Sequence, residues 1–141
     1  MFLSLDFVYV PTLDVDAAAA GYVESLGATL EWKVRGMGTV VACLRVAGSG
    51  PAILLSGHLQ GTTPVLVYRV ADYQVTVAAL RAMGVSPIVE LEIPYGPCAS
   101  FGAPGGQRYA VYELVRPEAA GYFNGRMDEA DGPVDPPEVT R

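Results

Sequence analysis

Hydrophobic and polar residues in the first half of the chain follow two different periodicities. Residues 5–10 carry aromatic and aliphatic side chains in alternation and stop at a proline, which is typical of a strand. Residues 17–26 repeat apolar side chains at helical spacing, with Asp14 or Asp16 available to cap the first turn and Gly27 at the end. Three short strands are predicted next, at 29–34, 40–46 and 51–55.

The second half of the chain repeats this order of elements. A strand is predicted at 65–70, and a helix at 73–83 begins after Asp72 and ends at Gly84. The capping Asp and the closing Gly therefore recur about 57 residues after their counterparts in the first half. The repetition predicts two βαβββ modules in tandem, and the alternative is two unrelated βα units that share ordinary capping signals. The remaining strands are predicted at 87–93, 99–103 and 108–115, and the turns between them at Gly96-Pro97 and 104–106.

One domain, residues 1–117, accounts for this repeat, with modules at about 3–58 and 62–117. Residues 118–141 have a different composition. Within them, 119–126 can form one short helix in which Tyr122 and Phe123 are an apolar anchor. The acidic, proline-rich stretch beyond Asp128 is predicted to have no fixed structure.

The composition excludes several classes of protein. Of 141 residues, 51% are hydrophobic and 17% are charged, and the formal net charge is −6. No cluster of Lys and Arg suits nucleic acid, and no apolar run reaches the roughly 18 residues that a membrane span needs. The first residues are typical of a strand and lack the basic region of a signal peptide. Cys43 and Cys98 lack the spacing of a disulfide framework or metal site, which predicts reduced thiols in a cytoplasmic protein.

Several short motifs occur along this repeat. They are the run from Leu5 to Val10, the helix end at Ser25-Leu26-Gly27, and residues 101–107 followed by Tyr112-Glu113-Leu114. In their order and spacing, over residues 3–117, the chain resembles the vicinal oxygen chelate superfamily, the group of glyoxalase I, bleomycin resistance proteins and extradiol dioxygenases. The resemblance implies an α+β fold in which two tandem βαβββ modules with cupped mixed sheets form a shared cavity.

The resemblance also implies where a metal ion would bind, because metal-dependent members carry ligands on the first, fourth, fifth and eighth strands. Here the first position holds Phe7, and the fourth strand, 51–55, contains no carboxylate or amide. The fifth position falls near Val65 and the eighth on Ala110, although Glu113 resembles the closing Glu of the family. A single carboxylate does not hold a hard divalent cation in water. We therefore predict no metal and no other cofactor.

Three polar residues are candidates for chemistry without a metal. His58, the only histidine of the chain, can be a general base at the cavity mouth or a loop residue between the modules. Glu113 can be an acid in apolar surroundings, or a strand end paired with an arginine. Cys98 can be a nucleophile, but a buried thiol without a neighbouring His is more often a packing residue. No catalytic residue is assigned on this basis.

Aromatic residues recur in the predicted strands of both modules and predict an apolar pocket that can stack against a ring. The alternative is that these rings fill the core between the sheet and the helices. Together with apolar residues at the metal-ligand positions, the predicted pocket residues are Phe7, Tyr9, Trp32, Val65, Tyr95, Phe101, Ala110 and Tyr112.

These features predict a metal-independent protein that binds a small apolar or aromatic molecule and forms a homodimer. One alternative is an antibiotic-sequestering resistance protein of the bleomycin type, whose acidic balance would suit a cationic drug. Another is a lyase or isomerase of the glyoxalase and dioxygenase group that uses Glu113 or His58. The sequence leaves open whether any reaction is catalysed.

Overall fold

Two sets of five elements follow one another in the same order. The computed structural model describes residues 1–36, 38–59 and 61–128. The first set is β1 (Phe2–Pro11), α1 (Val15–Leu26), β2 (Thr29–Gly36), β3 (Thr39–Arg45) and β4 (Ala52–Ser56). The second set is β5 (Val65–Val70), α2 (Tyr73–Ala82), β6 (Val89–Ile93), β7 (Gly96–Gly102) and β8 (Arg108–Tyr112), followed by a short helix, α3 (Ala119–Phe123). The proline-rich stretch beyond Asp128, predicted to have no fixed structure, lies outside the described residues.

All eight strands form one mixed sheet in the order β2-β3-β4-β1-β5-β8-β7-β6. In each module the first strand pairs parallel with the last, and the last three strands pair antiparallel with one another. The two modules join where β1 pairs antiparallel with β5. This arrangement confirms the predicted α+β class and the repeated βαβββ order.

The two long helices begin at the residues that the sequence indicates. The Asp14 carboxylate accepts a hydrogen bond from the Ala17 N–H at 3.0 Å, and the Asp72 carboxylate accepts one from the Val75 N–H at 3.0 Å. Gly27 ends α1 in the left-handed conformation, with φ of 69°. Of the two candidate caps of α1, Asp14 is therefore the cap. Asp16 instead holds Lys33 of β2 at 2.7 Å.

Both helices pack against one face of the sheet, which we call the helix face. Val15 and Ala19 of α1 contact Leu44 and Leu55, while three buried side chains of α2 contact the strands of the second module. On the opposite face, β2 and β6 are the two ends of the sheet, yet Trp32 of β2 and side chains of β6 line one cavity. The sheet is therefore strongly curved, and this second face is the concave face. The α2 residues in contact with the strands are Tyr73, Val77 and Leu80.

The predicted turn at Gly96-Pro97 is wrong. These two residues begin β7, where they pair with Ile93 and Glu92, and the chain turns one step earlier. Gly96 has φ of 156°, and a Cβ built on it would lie 2.0 Å from the carbonyl oxygen of Glu113. The glycine is required by this close approach of two backbones.

No helix in the described ranges is long and apolar enough to cross a membrane.

A pair of glycine substitutions tests the packing of β7. Gly96→Ala should lower the free energy of unfolding by roughly 2–4 kcal/mol, because the Glu113 backbone must move away from the new methyl group. Gly21→Ala is the matched control, since Gly21 is exposed on α1 and a methyl group added there would have no atom within 4 Å. That control should stabilise the protein by about 0.5–1 kcal/mol. Urea unfolding measures both changes, and equal stability of the two variants would contradict the close approach.

Candidate functional site

The centre of the concave face is an apolar cavity of about 270 Å³. It is lined from both modules: Phe7, Tyr9, Trp32 and Leu54 come from the first, and side chains of β5, β6, β7 and β8 come from the second. Phe123 of α3 closes one side of it and stacks on Trp32, with 4.9 Å between the ring centroids. The cavity therefore lies within one chain.

Strand register brings apolar residues of the two modules together. Phe7 of β1 lies opposite Val67 of β5, and Val67 lies opposite Ala110 of β8. Val65, the residue that the sequence placed at the fifth-strand position, lies one step further along, opposite Tyr9. All of these side chains line the central cavity. The junction of the two modules is consequently a patch of hydrocarbon and aromatic surface.

Seven of the eight predicted pocket residues line cavities of the concave face. Phe7 is central among them, since its ring lies 5.7 Å from that of Tyr95 and 5.9 Å from that of Tyr112. The other four are Tyr9, Trp32, Val65 and Ala110.

Phe101 is the exception, and its prediction as a pocket residue is wrong. Its buried ring belongs to the cluster that packs beneath α2, on the helix face. Side chains alternate along β7, so Cys98 and Ser100 face the central cavity while Ala99 and Phe101 face the helix.

The predicted apolar anchor after residue 118 packs against its own chain. The helix ends at Phe123, earlier than the predicted end at 126, and Phe123 is only 9% exposed. The following residues run along the outer edge of β2, where the Lys33 N–H donates to the Arg126 carbonyl at 2.8 Å and the Asp128 N–H donates to the Lys33 carbonyl at 2.9 Å. Phe123 is therefore not available to a second subunit.

One end of the concave face is polar. A cavity of about 560 Å³ adjoins the central one and is lined by two acidic and two basic side chains. Two β-bulges put the acidic residues there: Asp6 is the extra residue of β1 between Leu5 and Phe7, and Glu31 is the extra residue of β2 between Leu30 and Trp32. A bulge breaks the alternation of a strand and re-aims a side chain. Asp6 and Glu31 therefore line the same cavity as the aromatic residues that follow them. The basic side chains are Arg45 and Arg69.

The Asp6 carboxylate is held by two hydroxyl groups. One oxygen accepts from the Ser4 hydroxyl at 2.6 Å, and the other accepts from the Tyr112 hydroxyl. Arg69 approaches with its Nε 3.9 Å from Asp6, beyond hydrogen-bonding distance. Burial, and then the bond to Asp6, raise the pKa of Tyr112 above its ordinary value, so the phenol stays a donor at neutral pH.

Glu31 is held on the opposite wall by Arg45, whose Nε donates to it at 3.2 Å. The Cys43 thiol lies 3.6 Å from the other oxygen of Glu31. Burial, together with the neighbouring Glu31, raises the pKa of Cys43 to about 12. Burial also raises the pKa of Cys98 to about 11. Both thiols are therefore protonated at neutral pH and are poor nucleophiles. For Cys98 this favours the interpretation as a packing residue.

Two further phenols face the cleft without a hydrogen bond to the described part of the chain. Burial raises the pKa of Tyr9 to about 12 and raises the pKa of Tyr95 above its ordinary value. Both hydroxyls line cavities of the concave face and carry their protons at neutral pH. They are consequently available as donors to a polar atom of a bound molecule.

The two predicted catalytic candidates occupy different places. His58 lies at the opposite end of the concave face, where its Nδ1 is 3.0 Å from the Ser56 hydroxyl oxygen. Glu113 does not line the described cavities, because its carboxylate accepts a hydrogen bond from the Tyr73 N–H at 2.8 Å, at the start of α2. Glu113 is therefore an acceptor for the first turn of a helix, and its prediction as a cavity acid is wrong.

The described residues contain few side chains that could bind a metal ion close to one another. Among residues 1–36, 38–59 and 61–128, no group of three His, Cys, Asp or Glu side chains could hold a metal ion. The carboxylates of Asp6 and Glu31 already accept hydrogen bonds from hydroxyl groups and from Arg45. A catalytic metal needs at least three protein ligands that converge on one point.

Sequence reasoning missed the four charged residues of the polar end. Strict alternation places Asp6 and Phe7, or Glu31 and Trp32, on opposite faces, and a bulge cannot be read from one sequence. The one available signal was a charged residue directly before an aromatic residue in two strands of the same module.

Comparison with known proteins places this fold among solved structures. A scan against models of protein families found no match, and a search among curated proteins found no relative. The fold is similar to that of methylmalonyl-CoA epimerase from Mycobacterium tuberculosis, with 24% identity over 84% of this chain and 93% of that one, at a TM-score of 0.66. It is also similar to the Streptomyces coelicolor enzyme bound to 2-nitronate-propionyl-CoA, with 15% identity over 82% of this chain and all of that one, at a TM-score of 0.64. These epimerases belong to the vicinal oxygen chelate superfamily, so the chain has the fold of that superfamily.

Proposed function

We propose that this protein binds a small organic molecule in the concave cleft, with the apolar part of the molecule in the central cavity and without a divalent metal ion. One observation carries the proposal. The positions at which the resemblance implies metal ligands hold Phe7, Val65 and Ala110 instead, and all three line the central cavity. Apolar side chains at three adjoining positions provide a surface that excludes water and favours hydrocarbon or aromatic groups.

The size of the central cavity supports a ligand with one ring or a short chain. Its volume is about 270 Å³, and an apolar cavity of roughly 150 Å³ is enough to take up benzene. Phe7, Tyr95 and Trp32 contribute aromatic rings to its walls. An aromatic pair formed with one further ring contributes about 0.5–1.5 kcal/mol beyond the area that it buries.

Metal independence is supported by the chemistry of the side chains. A hard cation needs oxygen or nitrogen ligands with free lone pairs. Asp6 and Glu31, the acidic residues of the polar end, lie on different walls, and each already accepts hydrogen bonds from its own neighbours. A metal bound there would have to break those contacts and would still lack a third protein ligand.

A homodimer remains part of the proposal. The central cavity draws its walls from both modules of one chain, so a second chain would cover outer surface and would not complete the cavity. Sequestration of a cationic antibiotic stays an alternative. Titration of the protein with a glycopeptide antibiotic would test it.

A matched pair of phenylalanine substitutions tests the binding site. In Phe7→Leu, an aromatic probe such as 4-phenylbutyrate should bind about fivefold more weakly, because one stacking partner of about 1 kcal/mol is lost. Phe101→Leu removes a ring from the helix face of the same sheet and should leave the affinity unchanged. Isothermal titration calorimetry measures both. An equal loss in the two variants, or no loss in either, would contradict a ligand site beside Phe7.

A second candidate function is an isomerase that moves a proton next to a thioester carbonyl. Two observations favour it: the fold is similar to that of epimerases named for a CoA thioester, and two carboxylates face one cavity from opposite walls. Asp6 and Glu31 would then act as acid and base on either side of the carbon atom.

Exchange of the substrate proton with deuterated water tests this candidate. Incubation of the wild-type protein with methylmalonyl-CoA in D₂O should replace the α-proton, as followed by proton NMR, and Glu31→Gln should slow the exchange by 100-fold or more, on the order expected for loss of a general base. If the wild-type protein does not accelerate exchange over buffer, this isomerase is excluded and the binding function remains.

A further inference from the structure

The apolar cavity and the polar cavity of the concave face are continuous. Phe7, Trp32 and Tyr95 line both of them. A molecule whose apolar part occupies the central cavity, as proposed above, can therefore place its other end among the charged side chains. The side chains of the polar cavity therefore indicate which chemical group that other end carries.

Arg69 is the side chain of the polar cavity whose donors are left unused. Its Nε is buried and has no hydrogen-bond partner among the described residues. Its ion-pair partner is Asp6, 3.9 Å away, and both Asp6 oxygens already accept from the hydroxyls of Ser4 and Tyr112. A buried donor without a partner costs about 1–3 kcal/mol, more when it is charged. The Arg69 side chain as a whole is 39% exposed, so a ligand acceptor in the polar cavity can meet the exposed part of the guanidinium.

The other arginines that line the two continuous cavities differ from Arg69 in this respect. Arg45 donates through Nε to Glu31 at 3.2 Å and through a terminal nitrogen to the Gly50 carbonyl at 3.0 Å. Arg108 reaches the Ser100 hydroxyl at 3.4 Å. Arg69 is held by the strand register, because it lies directly opposite Tyr112 of β8. It is therefore positioned beside the apolar centre and is not satisfied by its own neighbours.

From this geometry we infer that Arg69 is an anion subsite and that the ligand is a hydrophobic organic acid, whose carboxylate binds the Arg69 guanidinium while its hydrocarbon or aromatic body occupies the central cavity. The inference rests on the proposed function and adds the chemical class of the ligand. A planar carboxylate matches the planar donor set of a guanidinium, which can donate two parallel hydrogen bonds.

The charges around the subsite are compatible with an added carboxylate. Glu31 is neutralised by Arg45, and Asp6 is stabilised by two hydroxyl donors as well as by the field of Arg69. The two acidic residues still oppose a second anion, so the carboxylate adds selectivity for the head group and only moderate affinity. Tyr95, whose phenol has no partner among the described residues, lines the same cavity and can donate to a ligand oxygen.

A pair of probes with the same shape but a different head-group charge tests the subsite. Isothermal titration calorimetry compares 4-phenylbutyrate with 4-phenylbutanamide, which has the same ring, chain length and head-group shape but no charge. The wild-type protein should bind the acid about tenfold more tightly, since a hydrogen bond to a charged group contributes about 1.5–3 kcal/mol. Arg69→Gln should abolish that preference, because the acid loses more affinity than the amide does.

Two further variants make the result specific. Arg69→Lys keeps the charge but loses the planar donor set, so it should retain part of the preference. Arg81→Gln is the control, because Arg81 lies on α2 with its side chain 52% exposed and paired with Glu90. It should behave as the wild type. Thermal unfolding of each variant confirms that the protein is folded at the temperature of the titration.

The outcomes separate the subsite from the proposed function. If the wild-type protein binds the amide as tightly as the acid, or if Arg69→Gln keeps the preference for the acid, the anion subsite is wrong and binding in the apolar cavity stands. If neither probe binds, the proposed function fails, and the subsite fails with it.

Discussion

The antiparallel pairing of β1 with β5 is the interaction on which the site depends. It joins two modules that each contain a parallel pair and three antiparallel strands, and it places Phe7 opposite Val67 at the junction. With that register the concave faces of both modules form one curved surface, and the residues that line a cavity of about 270 Å³ all come from a single chain. A shift of one residue in this pairing would exchange the two faces of β1 and remove Phe7 from the cavity.

Two bulges give this surface its chemical asymmetry. Asp6 and Glu31 are extra residues in β1 and β2, so each lies on the same side of the sheet as the aromatic residue that follows it. The charged residues collect at one end of the cleft, and the hydrocarbon and aromatic residues fill its centre. The cleft consequently suits an amphipathic molecule, and its charged end contains an arginine, Arg69, whose buried Nε has no partner in the described part of the chain.

The sequence predicted the features that local physical chemistry determines. Asp14, Gly27 and Asp72 mark helix ends because caps act within a few residues. The expectation that Phe7 and Ala110 lie near each other came from the family resemblance. The features it could not predict depend on distant parts of the chain. Phe101 was predicted for the pocket because it is aromatic, yet the alternation of β7 turns its ring towards α2.

The remaining differences have the same origin in long-range contacts. Gly96 indicated a turn, but it is required by the backbone of Glu113, which follows β8. Asp6 and Glu31 were missed because bulges form between paired strands and leave no periodic signal in one sequence. Glu113 was predicted as a possible cavity acid from its apolar neighbours in sequence, but its carboxylate accepts a hydrogen bond from the Tyr73 N–H at the start of α2.

We propose that the concave cleft binds an organic molecule without the help of a metal ion. The dissociation constant of 4-phenylbutyrate tests this proposal. It is determined by calorimetry in buffer with a chelator, and again with excess Zn²⁺ or Mn²⁺ in place of the chelator. We expect the same dissociation constant in all three solutions, because the side chains at the junction of the two modules, Phe7, Val67 and Ala110, have no atom that can bind a metal ion. Binding that occurs only with added metal would contradict it.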